Sequence, residues 1–260
     1  MQKKQKISTT KTHQKIYKDF IHIAKWWKHN FIFVPHISNI YDDNEKKEIN
    51  LYRLPIWRDV TEIQRLAYFF YFMADTNEFI NIKPFTLDLS KEFRDRYKNL
   101  SYKELKPIII KKIYGNLSYH LKSIKKPMMS FVLENKPTYK RKDINDKETH
   151  IHGIREVFDE DTEDKIKLSL KTSVCNGNKE YKRPEYRNML YTSEKYDVKK
   201  GPKGWMMYLN KGVCSNNGLY ISDSLLGKIR NDYNQLYKDY VECIKELKSK
   251  GFKMKYNQIT

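Results

Sequence analysis

Cysteine is scarce in this chain: Cys175, Cys214 and Cys243 lie far apart in 260 residues. An odd number with no C-x-x-C pair excludes a disulfide framework and a zinc knuckle, and fits free thiols in a reducing cytosol. Long apolar runs are missing as well. The longest, Leu66–Ala74, falls far short of the roughly 20 residues that cross a bilayer, so no membrane span is expected. The N-terminal stretch MQKKQKISTTKTHQK has no apolar core of the kind a secretory leader needs, so a cytoplasmic location is expected. No internal repeat shows, and no Gly-rich loop ends in Lys-Ser or Lys-Thr, so a nucleotide-binding helicase domain is not expected.

Acidic residues are the other shortage. Asp and Glu number 32 against 51 Lys and Arg, a formal net charge of +19. A coding bias toward lysine explains many of the cations but not the lag of the acids. Charge of this size speaks about partners rather than fold. Nucleic acid leads, because its phosphates reward dispersed Lys and Arg through counterion release; an anionic membrane surface is the alternative.

What the chain does contain is enough apolar surface to fold. Apolar residues make up 39%, with 20 Tyr and 12 Phe, which excludes a disordered polymer and allows one core with or without an appendage. Residues 1–77 read as a helical N-terminal region, either an appended binding module or a flank packed on the main domain. Ile16, Phe20, Ile23 and Trp27 stand at helical spacing, the polar 41–50 segment is a break, and Asp59–Glu62 has capping-box spacing ahead of an apolar helix over 60–74. Residues 78–221 alternate strands and helices. Residues 82–90 read as a strand. Ser101–Glu104 is a second capping-box pattern, with a helix to about Lys125 that Pro107 delays. Two strands follow, Met128–Glu134 and Glu148–Phe158, then a helix over 161–174 with an acidic start. A loop comes next, then a short strand at 186–192 and a helix at 205–211 after a Gly-Pro turn. The order predicts an α+β fold, a largely antiparallel sheet with helices packed on it. Residues 222–260 carry a long helix whose Leu226, Ile229, Tyr233, Leu236, Tyr240, Cys243 and Leu247 step by three and four. Such a seam serves packing inside the chain or a homodimer.

The stretch around which the rest is organised is His150-Ile151-His152-Gly153. Side chains two apart in a strand share a face, so the two imidazoles project together. Glu134 ends the preceding strand and stands beside them if the two strands pair as a hairpin. Glu148, an even step from both histidines, is the competing carboxylate. Two imidazoles and one carboxylate make a three-ligand site with open positions, which metal-assisted chemistry requires.

These residues resemble the HUH endonucleases, the family of rolling-circle replication initiators, relaxases and related transposases. Ile151 fills the hydrophobic place between the histidines. Three motifs occur in the order the initiators use: the strand Phe85-Thr86-Leu87-Asp88, the His150/His152 pair, and a helix-borne Tyr-x-x-Lys at Tyr208-Leu209-Asn210-Lys211. The resemblance covers about residues 80–215 and implies an HUH-like, ferredoxin-related sheet. The same Tyr-x-x-Lys spacing recurs at Tyr119, Tyr139 and Tyr196; the first two precede the histidines, and Tyr196 is the runner-up. Leu89 and Ser90 follow Asp88 where the family has an Asn-rich continuation. With the helicase domain missing, the resemblance implies a plasmid- or phage-like initiator.

The chemistry it implies is site-specific nicking and rejoining of single-stranded DNA. His150, His152 and Glu134 would hold a divalent cation, Mn2+ or Mg2+, that polarises the scissile phosphate. Tyr208 would attack phosphorus and retain a 5′-phosphotyrosine. Only about one free phenol in a thousand is ionised at neutral pH, so positive charge must assist, and Lys211 lies on the same helical face. Trp205 and Tyr139 would stack on bases, with Lys140, Arg141 and Lys142 tracking phosphates. Expected partners are single-stranded DNA or an origin hairpin, and host replication proteins. The competing reading is a non-catalytic basic nucleic-acid-binding protein whose histidines are structural.

Overall fold

The structure is a computed structural model that describes residues 15, 18–25, 48–122, 124–136, 148–177, 179–192 and 219–257. Within these residues the chain runs through α1 (18–25), β1 (Glu48–Tyr52), α2 (Glu62–Phe72), β2 (Ile82–Asp88), α3 (Lys91–Tyr97) and α4 (Tyr102–Leu121). It continues through β3 (Met129–Lys136), β4 (Glu148–Glu156), α5 (Glu160–Ser173), β5 (Leu190–Thr192), β6 (Tyr220–Ile221), α6 (Asp223–Ser249) and β7 (Lys253–Asn257). The fold is α+β. Its main sheet has the order β5-β2-β4-β3-β6, antiparallel throughout, with β4 at the centre. A second, two-stranded sheet pairs β1 with β7 in parallel.

Alternation along the strands sorts two cores. Phe85, Leu87, Phe131, Leu133 and Ile151 point to one face of the main sheet. There they meet Ile109, Ile113 and Leu117 of α4 and Ile166 and Leu170 of α5. Ile82, Val132 and Ile154 point to the other face and join Phe20, Leu66, Phe69, Ile229 and Tyr233 of α1, α2 and α6. Each such side chain, fully buried, contributes about 1.5–3 kcal/mol of transfer free energy. The α6 seam is used here: Ile229, Tyr233, Leu236, Tyr240, Cys243 and Leu247 are buried inside the chain's own core. No helix among the described residues is long and apolar enough to cross a membrane.

Five helices start on a side-chain cap: Thr61, Ser90, Ser101, Asp159 and Ser222 each accept from a backbone N–H in the first turn, an interaction of about 1 kcal/mol each. The α2 cap differs from the expected Asp59–Glu62 box. Trp57–Asp59 closes a 3-10 turn, so Thr61 is the last extended residue, and its partner is Gln64 (Thr61 N to Gln64 Oε1 2.9 Å). In α4 the Ser101–Glu104 box forms and the helix starts at Tyr102, with Pro107 inside it. The box and the burial of Leu105 hold a first turn that the proline deprives of one backbone bond.

Residues 48–52, partly within the expected polar break, form β1 by pairing with β7, which lies some 200 residues away in sequence, so no local pattern reveals the strand. The strand expected over 186–192 shrinks to Leu190–Thr192; Pro184–Tyr186 is a 3-10 turn instead, anchored where the Tyr186 hydroxyl donates to Glu92 Oε2 at 2.6 Å.

Candidate metal centre

Three strands bring the site together. β3 and β4 pair so that Glu134 is opposite His150 and Val132 opposite His152. On the other flank β2 places Asp88 opposite His150 and Thr86 opposite His152. All of these side chains fall on the face that α4 and α5 leave uncovered, toward the end of the sheet away from Ile82 and Ile154. Ile151 turns the other way into the core under the helices, which the two-residue period requires.

Gly153 makes this register achievable. It lies between Phe85 and Phe131 in adjacent strands. A Cβ there would come within 2.7 Å of Phe131 Cβ and of Phe85 Cε1, and closer still to the Ser130 carbonyl. The glycine is therefore a packing requirement of the strand that carries both histidines.

Both imidazoles are 8% exposed. His152 Nε2 is 3.6 Å from Glu134 Oε2, and His150 Nε2 is 3.8 Å from the same oxygen. The rings meet edge to face, 4.4 Å between centroids. One ligand atom from each of the three residues lies within 4.8 Å of the others, so the group could hold a metal ion. Ligand atoms about 2.1 Å from one cation stand about 3.0 Å apart at a right angle and about 3.4 Å apart in a tetrahedron. The two carboxylate–imidazole separations exceed the tetrahedral value by about 0.2 to 0.4 Å. The donor set of two imidazoles and one carboxylate fits a divalent first-row metal and leaves coordination positions open for substrate oxygen.

Two further residues belong to the surroundings of the triad. Thr86 Oγ1 lies 2.8 Å from His152 Nδ1, the nitrogen turned away from Glu134. Tyr102, the first residue of α4, has a buried hydroxyl with no hydrogen-bond partner among the described residues. Burial, and next the charge of Glu134, push this phenol well above its usual range. Neither role was legible from spacing alone. Thr86 carried a faint signal, since it sits one residue from Phe85 and so on the opposite face.

Of the expected site residues, Glu134, His150 and His152 come together. Between the competing carboxylates, Glu134 has its oxygen beside both imidazoles. Glu148 pairs with Lys136, two residues further along the strands. Tyr208, Lys211, Trp205, Lys140, Arg141 and Lys142 lie outside the described residues, as do Tyr139 and Tyr196. Tyr119 is 76% exposed on α4, the helix packed on the face opposite the histidines. Comparison with protein-family models, with curated proteins and with solved structures finds no match to this chain.

Proposed function

We propose that the protein nicks and rejoins single-stranded DNA by a metal-assisted tyrosine mechanism, as an HUH-type replication initiator of plasmid or phage kind. The observation that carries this reading is the Glu134/His150/His152 group on the central strands of an antiparallel sheet. The net charge of +19 supports a polyanionic substrate.

In this reading His150, His152 and Glu134 hold the cation, Mn2+ in preference to Mg2+ because two of three ligands are imidazoles. When bound, the cation supplies Lewis-acid stabilisation of charge on the scissile phosphate. Both histidines are 8% exposed, so their donor nitrogens are largely kept from bulk water. Tyr208 supplies the nucleophile: its oxygen forms a bond to phosphorus, the bond to the departing 3′ oxygen breaks, and the phenolic proton leaves to solvent or a nearby base. Lys211 supports the phenolate. Rejoining is the reverse displacement by a free 3′ hydroxyl. Tyr191, 66% exposed on edge strand β5 and opposite Thr86, offers a ring for base stacking near the triad, beside the contacts assigned to Trp205, Lys140, Arg141 and Lys142.

The test is incubation with Mn2+ and single-stranded or hairpin DNA from the chain's own replicon, followed by denaturing electrophoresis. The expected result is a covalent protein–DNA product that Tyr208→Phe abolishes. An adduct that persists in Tyr208→Phe removes that nucleophile. If tight DNA binding occurs with no adduct on any single-stranded substrate, the protein is a nucleic-acid-binding module instead.

A further inference from the structure

The hydroxyl of Thr86 makes a contact that the proposed chemistry does not yet use. It meets His152 at Nδ1, 2.8 Å away, while Nε2 of the same ring faces Glu134 Oε2 at 3.6 Å. A neutral imidazole carries one proton, and the nitrogen without it is the ligand. Which nitrogen is bare follows from what the other one is bonded to. Nε2 is the nitrogen that faces the Glu134 carboxylate, so it is the one that the metal reading uses as ligand. The threonine oxygen is within hydrogen-bond length of Nδ1 and has lone pairs to accept N–H.

We propose that Thr86 is a positioning residue that selects the metal-binding form of His152: Nδ1–H donates to Thr86 Oγ1, which leaves the Nε2 lone pair directed at the place the cation occupies. The inference rests on the reading of Glu134, His150 and His152 as metal ligands. Its structural basis is independent of sequence resemblance. Thr86 and His152 are register partners on antiparallel strands, so two rigid backbones set the contact rather than a loop. Thr86 is half-buried and His152 buried, which limits competition from water for Nδ1. Orienting partners of this kind change metal affinity by about 10–100-fold when removed. Thr86 also lies within Phe85-Thr86-Leu87-Asp88, and the assignment gives that strand segment a role in the chemistry of the centre.

Two measurements test it. The first needs no metal: long-range nitrogen–proton NMR on the metal-free protein, at a pH above the imidazole range, reports which ring nitrogen of His152 is protonated. The expected result is Nδ1–H in wild type and in Thr86→Ser, and a shift toward Nε2–H in Thr86→Val. A wild-type His152 protonated at Nε2 overturns the inference. The second is Mn2+ titration by calorimetry. Thr86→Val is expected to bind about 10–100-fold more weakly, and Thr86→Ser to recover most of the loss, because a valine of equal shape keeps the packing and removes only the oxygen. Equal affinity in wild type and Thr86→Val overturns the inference while leaving the metal centre standing. If wild type binds no divalent ion, the metal reading fails, and the tautomer result still decides the role of Thr86.

Discussion

Glu134 and His150 are direct cross-strand partners on β3 and β4, with carboxylate oxygen and imidazole nitrogen 3.8 Å apart. Sixteen positions of sequence separate them, and the hairpin pairing removes that distance. His152, two residues along the same strand, then meets the same oxygen at 3.6 Å. Binding should therefore depend on Glu134 far more than on Glu148. Glu134→Gln is expected to weaken Mn2+ binding by at least about tenfold, and Glu148→Gln to leave it within about twofold, as for a residue outside the ligand set. Calorimetric titration of both variants checks this. The reverse ranking would transfer the ligand role to Glu148.

Gly153 should tolerate no side chain. A methyl there meets Phe85, Phe131 and the Ser130 carbonyl at once, and two of those three are part of the sheet backbone or its Cβ layer. Gly153→Ala is expected to destabilise the fold at the upper end of the about 1–3 kcal/mol typical of overpacking. Urea unfolding measures the loss. A variant of wild-type stability would mean that β4 is not held as closely as its contacts imply.

Arg155, fully buried on β4, makes a bidentate ion pair with Glu163 at the start of α5, with one N–O distance of 2.8 Å. It also donates to Thr192 on β5 at 3.2 Å. The pair ties a helix and an edge strand to the histidine strand. Removing the carboxylate charge leaves the guanidinium buried without a counter-charge, so Glu163→Gln is expected to cost about 3–5 kcal/mol. Replacing both with apolar residues should cost much less. A double-mutant cycle in thermal unfolding checks the coupling.

Acid should act through Glu92. The Tyr186 hydroxyl donates to its carboxylate at 2.6 Å, and Arg183 pairs with it. The tyrosine bond, with the backbone and arginine bonds behind it, holds its pKa at about 2, below the ordinary 4.5. A carboxylate with a lowered folded-state pKa stabilises above its unfolded value and loses that contribution as pH falls through the folded one. The stability difference between wild type and Glu92→Gln is therefore expected to be full at neutral pH. It should shrink between about 4.5 and about 2. Denaturant midpoints across that window would show it, and a difference independent of pH would contradict the assignment.

At the end of α4, Lys122 adopts φ +50 and ψ −106. A side chain is strained there by about 1–3 kcal/mol, whereas glycine adopts positive φ freely. Lys122→Gly is expected to raise stability by about 1 kcal/mol, the relief of strain less the added entropy of the unfolded chain. Thermal unfolding reads the sign directly.

The sequence alone determined the facing of the two histidines, because a strand's two-residue period is set by local covalent geometry and needs no partner. It determined the cap at Ser101, the run of α6 and the acidic start of α5 for the same reason: each depends on neighbours within one or two turns. Tertiary structure decided everything that joins distant segments. The parallel pairing of β1 with β7 was hidden because neither strand carries a local signal of the other. The meeting of Glu134 with both imidazoles, the hydroxyl of Thr86 on His152 and the ion pair of Arg155 all follow from register. Register is fixed by which apolar side chains reach which core and by the close approach of Phe85 and Phe131 at Gly153, and no window of consecutive residues contains that information.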